Sequence, residues 1–362
     1  MSKDNVTSID VAKIAGVSQS AVSRFYTPGA SLSKKTAEKV KDASDKLGYR
    51  PNVLARSLIT GKSKIIGLVV AYLDNYFYPT ALEKLSKSLQ LEGYHVLVFM
   101  ASQTAGDIDE VLAEILDYQV DGIIVASVAM SSSLATRCQE AGVPVVLFNR
   151  SQDDYNLSSV TSDNISGGGK VADLLISLEH QRISYLAGWE GASTQRDREY
   201  GFVSKLKESG KSLFSKEVGN FKFEEAQKAT FRMFKNKITP DALFVANDHM
   251  AFAAMDVIRF EFKLRIPEDV SVVGYDDVPP AAWKSYDLTT VRQRANLMVQ
   301  ETVHTILNQI ENPNSTKPTK LQIDSPLIIR SSRANIKSTT SCVRGKEPTC
   351  EVSILPIKAS SL

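Results

Sequence analysis

Between Ile65 and Gly274 the sequence repeats one texture: a short run of β-branched and apolar residues, a turn, then a stretch with helical periodicity. The strand-like runs are Ile65–Ala71, His95–Met100, Gly122–Ala126, Val143–Phe148, Ile183–Ala187, Ala242–Ala246 and Val270–Gly274. Strands joined through helices must run parallel, and such crossovers pack back onto their sheet in the right-handed sense. The pattern therefore predicts an α/β fold of parallel sheets flanked by helices. So many strands over roughly 270 residues divide more readily into two lobes than into one sheet. The longest apolar runs, Ile65–Leu73 and Ile123–Met130 with Ser127 inside it, fall short of the roughly 20 residues a membrane span requires. No strong internal repeat or low-complexity tract is present. After Arg333 the chain turns to Ser, Thr, Lys and Pro without amphipathic period, which predicts a loosely ordered tail over 336–362.

The region ahead of this body differs in charge. The whole chain of 362 residues carries a net charge of +2, but residues 1–64 hold 12 Lys+Arg and 5 Asp+Glu, leaving 31 basic and 36 acidic residues for the remainder. A small basic head on a mildly acidic body points to a polyanion partner, since Lys/Arg neutralisation of phosphates drives sequence-independent affinity. The head reads as three short helices. Ser8 or Thr7 can cap the first, whose apolar positions Val11, Ala12, Ile14 and Ala15 share a face before Gly16 stops it. Ser18 can cap the second, with Ala21, Val22 and Phe25 inward and Gln19, Ser20, Ser23 and Arg24 outside. A third runs from about Ser33 to Leu47 with Ala37, Val40, Ala43, Ser44 and Leu47 inward. A helix-turn-helix needs a small residue at the helix crossing, a turn residue tolerant of positive φ, and an apolar lock; Ala12, Gly16 and the set Val11, Ala15, Val17, Val22 and Phe25 supply them. Residues 52–58 are helix-capable but too short to be stable alone, so something else must order them.

The stretch Val6-Thr7-Ser8-Ile9-Asp10-Val11-Ala12-Lys13-Ile14-Ala15-Gly16-Val17-Ser18, then Ala21-Val22-Ser23-Arg24, Leu47-Gly48-Tyr49-Arg50-Pro51-Asn52 and Ala55-Arg56-Ser57-Leu58, resembles the head of the lactose/galactose repressor (LacI/GalR) family. The resemblance continues through the body to about Asn335. It implies a helix-turn-helix DNA-binding head over 1–50, a hinge helix and linker over 51–64, and a two-lobed effector-binding and dimerisation body of the periplasmic-binding-protein type over 65–335. Gln19, Ser20 and Arg24 match the positions that read base edges in the major groove, where Arg can contact guanine in bidentate fashion. Asn52, Ala55 and Leu58 match the hinge helix, with Leu58 as the wedge that kinks DNA at the minor groove. The partners implied are a palindromic double-stranded operator, a second copy of the chain joined through the body, and a small-molecule effector between the lobes.

Ligands of such bodies sit beyond the carboxyl ends of the strands. Asn247-Asp248 follows the run Ala242–Ala246 and Asp276 follows Val270–Gly274, so both lie where a cleft ligand sits. The resemblance adds Arg198, Asn149 and Asp163 as polar cleft positions, Phe221 as the stacking aromatic, and Tyr78 with Phe77 from the first lobe. Such a set suits a polyhydroxylated molecule: carboxylate and amide oxygens accept from hydroxyls while a ring covers an apolar face. A sugar or sugar derivative that lowers DNA affinity is the effector expected. Among the neighbours, Asp248 and Asp277 read as helix caps, Phe77 as core, and Arg196 or Arg150 as surface ion pairs.

Enzyme readings find no constellation. Gly61-Lys62-Ser63 lacks the first glycine of a phosphate loop and precedes its strand, and Gly167-Gly168-Gly169-Lys170 is followed by Val171. The four histidines show no HExxH spacing, no GxSxG occurs, and Cys138, Cys342 and Cys350 match neither a zinc pattern nor a disulfide framework. No cofactor, metal or catalytic residue is expected. A solute-binding protein of a sugar transport system shares the body plan, but the basic head and an N-terminus without an apolar leader argue against it and for a cytoplasmic, nucleoid-associated protein.

Overall fold

The computed structural model describes residues 6–27, 29–50, 62–101, 105–126, 132–152, 157–313 and 317–334. The head is three helices, α1 (Ser8–Ala15), α2 (Gln19–Phe25) and α3 (Lys34–Leu47). Of the two candidate caps for α1 it is Thr7 that serves, its hydroxyl accepting from Asp10 N while Asp10 reaches back to Thr7 N at 2.9 Å. Gly16 then stops the helix at φ 62, a conformation that needs no Cβ. Ser18 and Ser33 cap α2 and α3. Val11, Ala12, Ala15, Val22, Val40 and Ala43 form the head's own core, against which Phe25, Tyr26 and Tyr49 pack. Ile14, expected inward, is 49% exposed: at eight residues α1 is too short to bury more than one stripe, and Val11, Ala12 and Ala15 occupy it.

The body consists of two six-stranded sheets. The first lobe holds β1 (Ile65–Val70), α4 (Phe77–Leu91), β2 (His95–Met100), α5 (Ala105–Asp117), β3 (Gly122–Ala126), α6 (Ser132–Glu140), β4 (Val145–Phe148) and β5 (Ser158–Ser162). The second holds α7 (Asn164–Ser177), β6 (Ile183–Ala187), α8 (Ser193–Glu208), β7 (Ser215–Val218), α9 (Phe223–Phe234), β8 (Ala242–Val245), α10 (Asp248–Asp256), β9 (Ser271–Asp276) and β10 (Thr289–Arg292). The chain then returns through α11 (Ala295–Glu311) to β11 (Lys320–Ile323) on the first sheet and crosses again to β12 (Leu327–Ile328) on the second. Strand order is β11-β5-β4-β3-β1-β2 in one sheet and β12-β10-β9-β8-β6-β7 in the other, parallel throughout except for β12 against β10. Three crossings join the lobes, and Lys170 of α7 fastens the last of them by donating to Asp324 Oδ1 (2.6 Å) and to Ser325 O (2.8 Å).

All seven strand-like runs are strands, with shifted ends: the fourth starts at Val145 instead of Val143, and the seventh starts at Ser271 and runs on to Asp276. The other five strands have sequences such as SSVTS, SKEV and TTVR, whose polar residues hide the period. The glycine run at 167–169 has a packing role. A Cβ on Gly168 would lie 2.2 Å from Arg198 O, and one on Gly201 2.0 Å from Ile165 O, so α7 and α8 meet backbone to backbone. That contact sets the position of Arg198. The predicted tail over 336–362 lies outside the described residues.

Candidate nucleic-acid interface and ligand cleft

On α2 the residues Gln19, Ser20 and Arg24 are all exposed on the face turned away from the head's core. Gln19 Nε2 donates to Ser8 Oγ (3.1 Å), and the hydroxyls of Ser18 and Ser20 are bonded at 2.9 Å, which orders the helix N-terminus. The Arg24 guanidinium makes no hydrogen bond or ion pair among the described residues. Asn52, Ala55 and Leu58 lie outside the described residues.

Where the strands of the two sheets end, polar side chains converge between the lobes. The second lobe contributes Arg198, only 2% exposed, on α8. Its Nε donates to Asn164 Oδ1 (2.9 Å), its Nη1 to Ala246 O (2.6 Å), and its Nη2 lies 3.4 Å from Asp276 Oδ1. The guanidinium also stacks 3.7 Å from the centroid of the Tyr275 ring. Asp276, at the end of β9 with φ 124, accepts from Gln293 Nε2 at 2.7 Å, and Gln293 Oε1 accepts from Ser162 Oγ at 2.9 Å. Burial pushes the Asp276 carboxyl above its ordinary range, while Arg198, Gln293 and Asn75 pull it back.

Two expectations on this wall are corrected. Asn247, not Asp248, caps α10 by accepting from Met250 N at 3.0 Å. Asp248 is fully buried and accepts from Thr290 Oγ1 (2.6 Å) and Val278 N (3.0 Å); burial and the charge of Asp276 hold its carboxyl well above the ordinary range. Asp277 is no cap either, because it is clasped by Arg292 (2.5 Å) and Arg330 (2.6 Å). Asp163 does cap a helix, accepting from Ser166 N at 2.9 Å at the start of α7. Phe221 is buried at φ 61 with its ring against Gly188, at the end of β6.

The first lobe presents Tyr72, Asn75, Tyr78, Asn149 and Arg150. Tyr78 is buried, in edge contact with Tyr72 (5.1 Å) and Phe77 (5.4 Å), and its hydroxyl accepts from Asn149 Nδ2 at 3.3 Å. Phe77 is core, stacked on Phe148 at 6.1 Å. Arg150, expected on the surface, is 4% exposed and lies between the lobes, its Nη1 donating to Asn149 O (3.0 Å) and to Thr194 Oγ1 (2.7 Å). Ser151 N donates to Ser193 Oγ at 2.9 Å beside it. Asn149 Oδ1 and Arg150 Nε are buried without a hydrogen-bond partner.

The structure thus brings Tyr78, Asn149, Arg198 and Asp276 to one cleft, with Phe221 and the caps Asn247 and Asp163 built into its supporting ends. Tyr72, Asn75, Thr194 and Gln293 join them without having been singled out, and Arg150 joins them against the surface reading given to it. Tyr72 and Asn75 just follow β1, so the strand-end rule could have found them; Gln293 follows a strand whose sequence hid it. Among the described residues no group of His, Cys, Asp and Glu could hold a metal ion, and no helix is long and apolar enough to cross a membrane.

A three-helix basic head in front of a two-lobed parallel α/β body with a polar interlobe cleft defines a ligand-responsive DNA-binding class. The chain belongs to the LacI family of bacterial regulatory proteins: residues 8–52 match "Bacterial regulatory proteins, lacI family" and residues 63–331 match "Periplasmic binding proteins and sugar binding domain of LacI family". It is accordingly a helix-turn-helix transcriptional regulator and not a transport solute-binding protein. The HTH-type transcriptional regulator CelR of Thermobifida fusca is 32% identical over 89% of this chain and 96% of its own. The HTH-type transcriptional repressor PurR of Aliivibrio salmonicida is 28% identical over 84% of this chain and 92% of its own. Among solved structures, the lac repressor dimer bound to operator and the anti-inducer ONPF superposes with a TM-score of 0.82 at 28% identity, covering 91% of this chain and 99% of that one. The CelR–cellobiose complex gives 0.68 at 28% identity, over 91% of this chain and all of that one (100%).

Proposed function

We propose that this regulator binds a palindromic operator as a cytoplasmic, nucleoid-associated homodimer, and that a sugar or sugar derivative held between its lobes lowers that affinity. Residues 1–50 read DNA, 51–64 form the hinge, 65–335 bind effector and pair with a second copy, and 336–362 are dispensable. Gln19, Ser20 and Arg24 contact base edges; Asn52, Ala55 and Leu58 enter the minor groove; Tyr78, Asn149, Asp163, Arg198, Phe221, Asn247 and Asp276 form the effector site, Asp163 and Asn247 through the helices they cap. The chain catalyses no reaction. The similarity to a lac repressor dimer on operator and to a cellobiose complex supports the partners assigned.

The observation that carries this reading is the outer face of α2, where Arg24 stands exposed and unengaged beside Gln19 and Ser20 on a rigid, capped helix. The effector acts through lobe arrangement, and it moves DNA affinity only by its differential affinity for the two arrangements, typically about 1–3 kcal/mol of coupling. The test is selection of bound sequences from random duplex DNA by the full chain. Selection returns a palindrome, and Arg24→Ala weakens binding to it by about 1–3 kcal/mol with little effect on unrelated duplex. Equal losses on both would remove the base-reading role.

A further inference from the structure

The segment that joins the DNA-binding head to the body enters the first lobe through a fastened joint at Ser63 and Lys64. One carboxylate, Asp121 at the approach to β3, takes three hydrogen bonds from these two residues. Its Oδ1 accepts from Ser63 N (2.8 Å) and Ser63 Oγ (2.9 Å), and its Oδ2 accepts from Lys64 N (3.0 Å). A carboxylate only accepts, and bonds made to its charge are strong, so one side chain holds all three donors in fixed directions. The neighbouring backbone is tied as well. Asp121 N donates to Ile65 O (2.8 Å), His95 N donates to Lys64 O (2.8 Å), and the Lys64 ammonium lies 4.0 Å from the centroid of the Tyr94 ring. Ser63 is buried, and Lys64 has φ 57, in the left-handed region that a residue with a side chain keeps only when its surroundings impose it. The direction in which the chain enters the first lobe is thus set at Asp121.

A second observation links this joint to the cleft. Gln293, whose amide joins Asp276 to Ser162, stands just before α11. At 17 residues that helix is roughly 25 Å long, and it returns from the second lobe to the first. Toward its far end Ile306 and Ile310 pack on Gly122, the residue after Asp121. The approach is close enough that a Cβ on Gly122 would lie 3.0 Å from Ile306 and 3.1 Å from Ile310. Gln309, on the same turn, donates to Ser158 Oγ (2.8 Å) and ties this end of the helix to β5. Close-packed interiors pass a displacement on instead of absorbing it. A change at the carboxyl end of β9 therefore reaches Asp121 through Gln293, α11 and Gly122 without a break in contact.

Resting on the reading of the chain as an effector-controlled DNA-binding regulator, we propose that Asp121 is the positioning residue by which the lobe arrangement places the DNA-binding segment, and that α11 carries that arrangement to it from the cleft. In this role Asp121 touches neither DNA nor effector and acts through Ser63 and Lys64. Loosening it leaves the attraction of the basic head for phosphates in place and removes the registration that base reading requires.

The test uses the full chain, the palindrome it selects from random duplex DNA, and an unrelated duplex of the same length at the same salt concentration. Asp121→Asn keeps the shape of the side chain but gives up its charge and one acceptor oxygen. It lowers affinity for the palindrome at least tenfold and for the unrelated duplex less than twofold. Ser63→Ala deletes one of the three bonds and gives the same split at about threefold, so it stands in wherever Asp121→Asn fails to fold. Transmission is read from a double-mutant cycle. Gln293→Ala shifts palindrome affinity at least threefold in the wild-type chain and less than about 1.5-fold beside Asp121→Asn, whereas unconnected sites this far apart act additively. Equal losses on both duplexes, unchanged affinity for the palindrome, or additivity in the cycle overturns the inference and leaves the regulator reading intact. Selection of no palindrome overturns that reading and the inference with it.

Discussion

The two walls of the cleft are built from similar residue types and satisfied to different degrees. On the second-lobe wall the charged and amide groups have their partners, although the Tyr275 hydroxyl is left without one: Arg198 has three oxygen-bearing neighbours and an aromatic face, Asp276 has two donors, Asp248 has two, and Gln293 spends both ends of its amide. On the first-lobe wall Asn149 makes one long bond, and Arg150 and Asn149 each leave a buried polar atom unpaired. A buried polar group that is satisfied rigidifies the fold, and one that is not costs free energy until something binds it. The second-lobe wall is therefore scaffold as much as binding surface, and the first-lobe wall holds the open valences.

The largest effect expected from this contrast is at Arg198. Arg198→Ala strands the buried Asp276 carboxylate, Asn164 Oδ1 and Ala246 O together and removes the stack on Tyr275, which costs about 3–5 kcal/mol in urea unfolding. Arg150→Met, which deletes a charge held by two bonds to neutral oxygens and a more distant attraction to Asp276, costs less than about 2 kcal/mol. Equal costs would erase the distinction between the walls. Next comes Gln293→Ala, which unties Asp276 from Ser162 and so separates the cleft from the crossing after β5; unfolding shows a loss of about 1–3 kcal/mol.

A smaller, pH-dependent effect is expected at Asp248. Because its carboxyl is held above its ordinary value of 3.8, the folded chain keeps a proton there that the unfolded chain releases. The group's contribution is thus greatest in acid and declines as pH rises through the window between the unfolded and folded values, with a slope of at most about 1.4 kcal/mol per pH unit. Asp248→Asn removes that part of the slope, so the stability difference between wild type and variant narrows or reverses from acid toward neutral pH. A difference that does not vary with pH would mean that Asp248 is ionised in the fold.

What could be read from the sequence follows from the same physics. The head was legible because caps, a left-handed glycine and helical spacing are local: Thr7, Gly16, Ser18 and Ser33 act within a few residues of themselves. The parallel sheets were legible where strands are β-branched and buried on both faces, as in Ile65–Val70. Ser158–Ser162 escaped because its serines and threonine are buried by long-range contacts, such as Ser162 to Gln293, that no window of sequence contains. Arg150 was misplaced for a related reason: an arginine after a strand reads as surface, and only the packing of the two lobes puts Tyr78 of the first and Thr194 of the second around it. Asn247 and Asp248 are adjacent and both can cap, so local spacing could not say which one turns inward.

The smallest effect belongs to Tyr78. Its ring is buried against Tyr72 and Phe77, and Tyr78→Phe keeps all of that packing. What it removes is a hydroxyl that accepts from Asn149 Nδ2 at 3.3 Å, beyond the ordinary range of an N–H···O bond and therefore weak. On the satisfied wall, deleting a polar group leaves buried partners stranded; here the amide had only that long bond to lose. Unfolding in urea is expected to change by less than about 1 kcal/mol. The same hydroxyl faces Arg150, so its deletion lowers affinity for the sugar or sugar derivative proposed for the cleft, measured by titration calorimetry on the same preparation. A stability loss above about 2 kcal/mol with unchanged ligand affinity would place Tyr78 with the scaffold and reverse the assignment of the two walls.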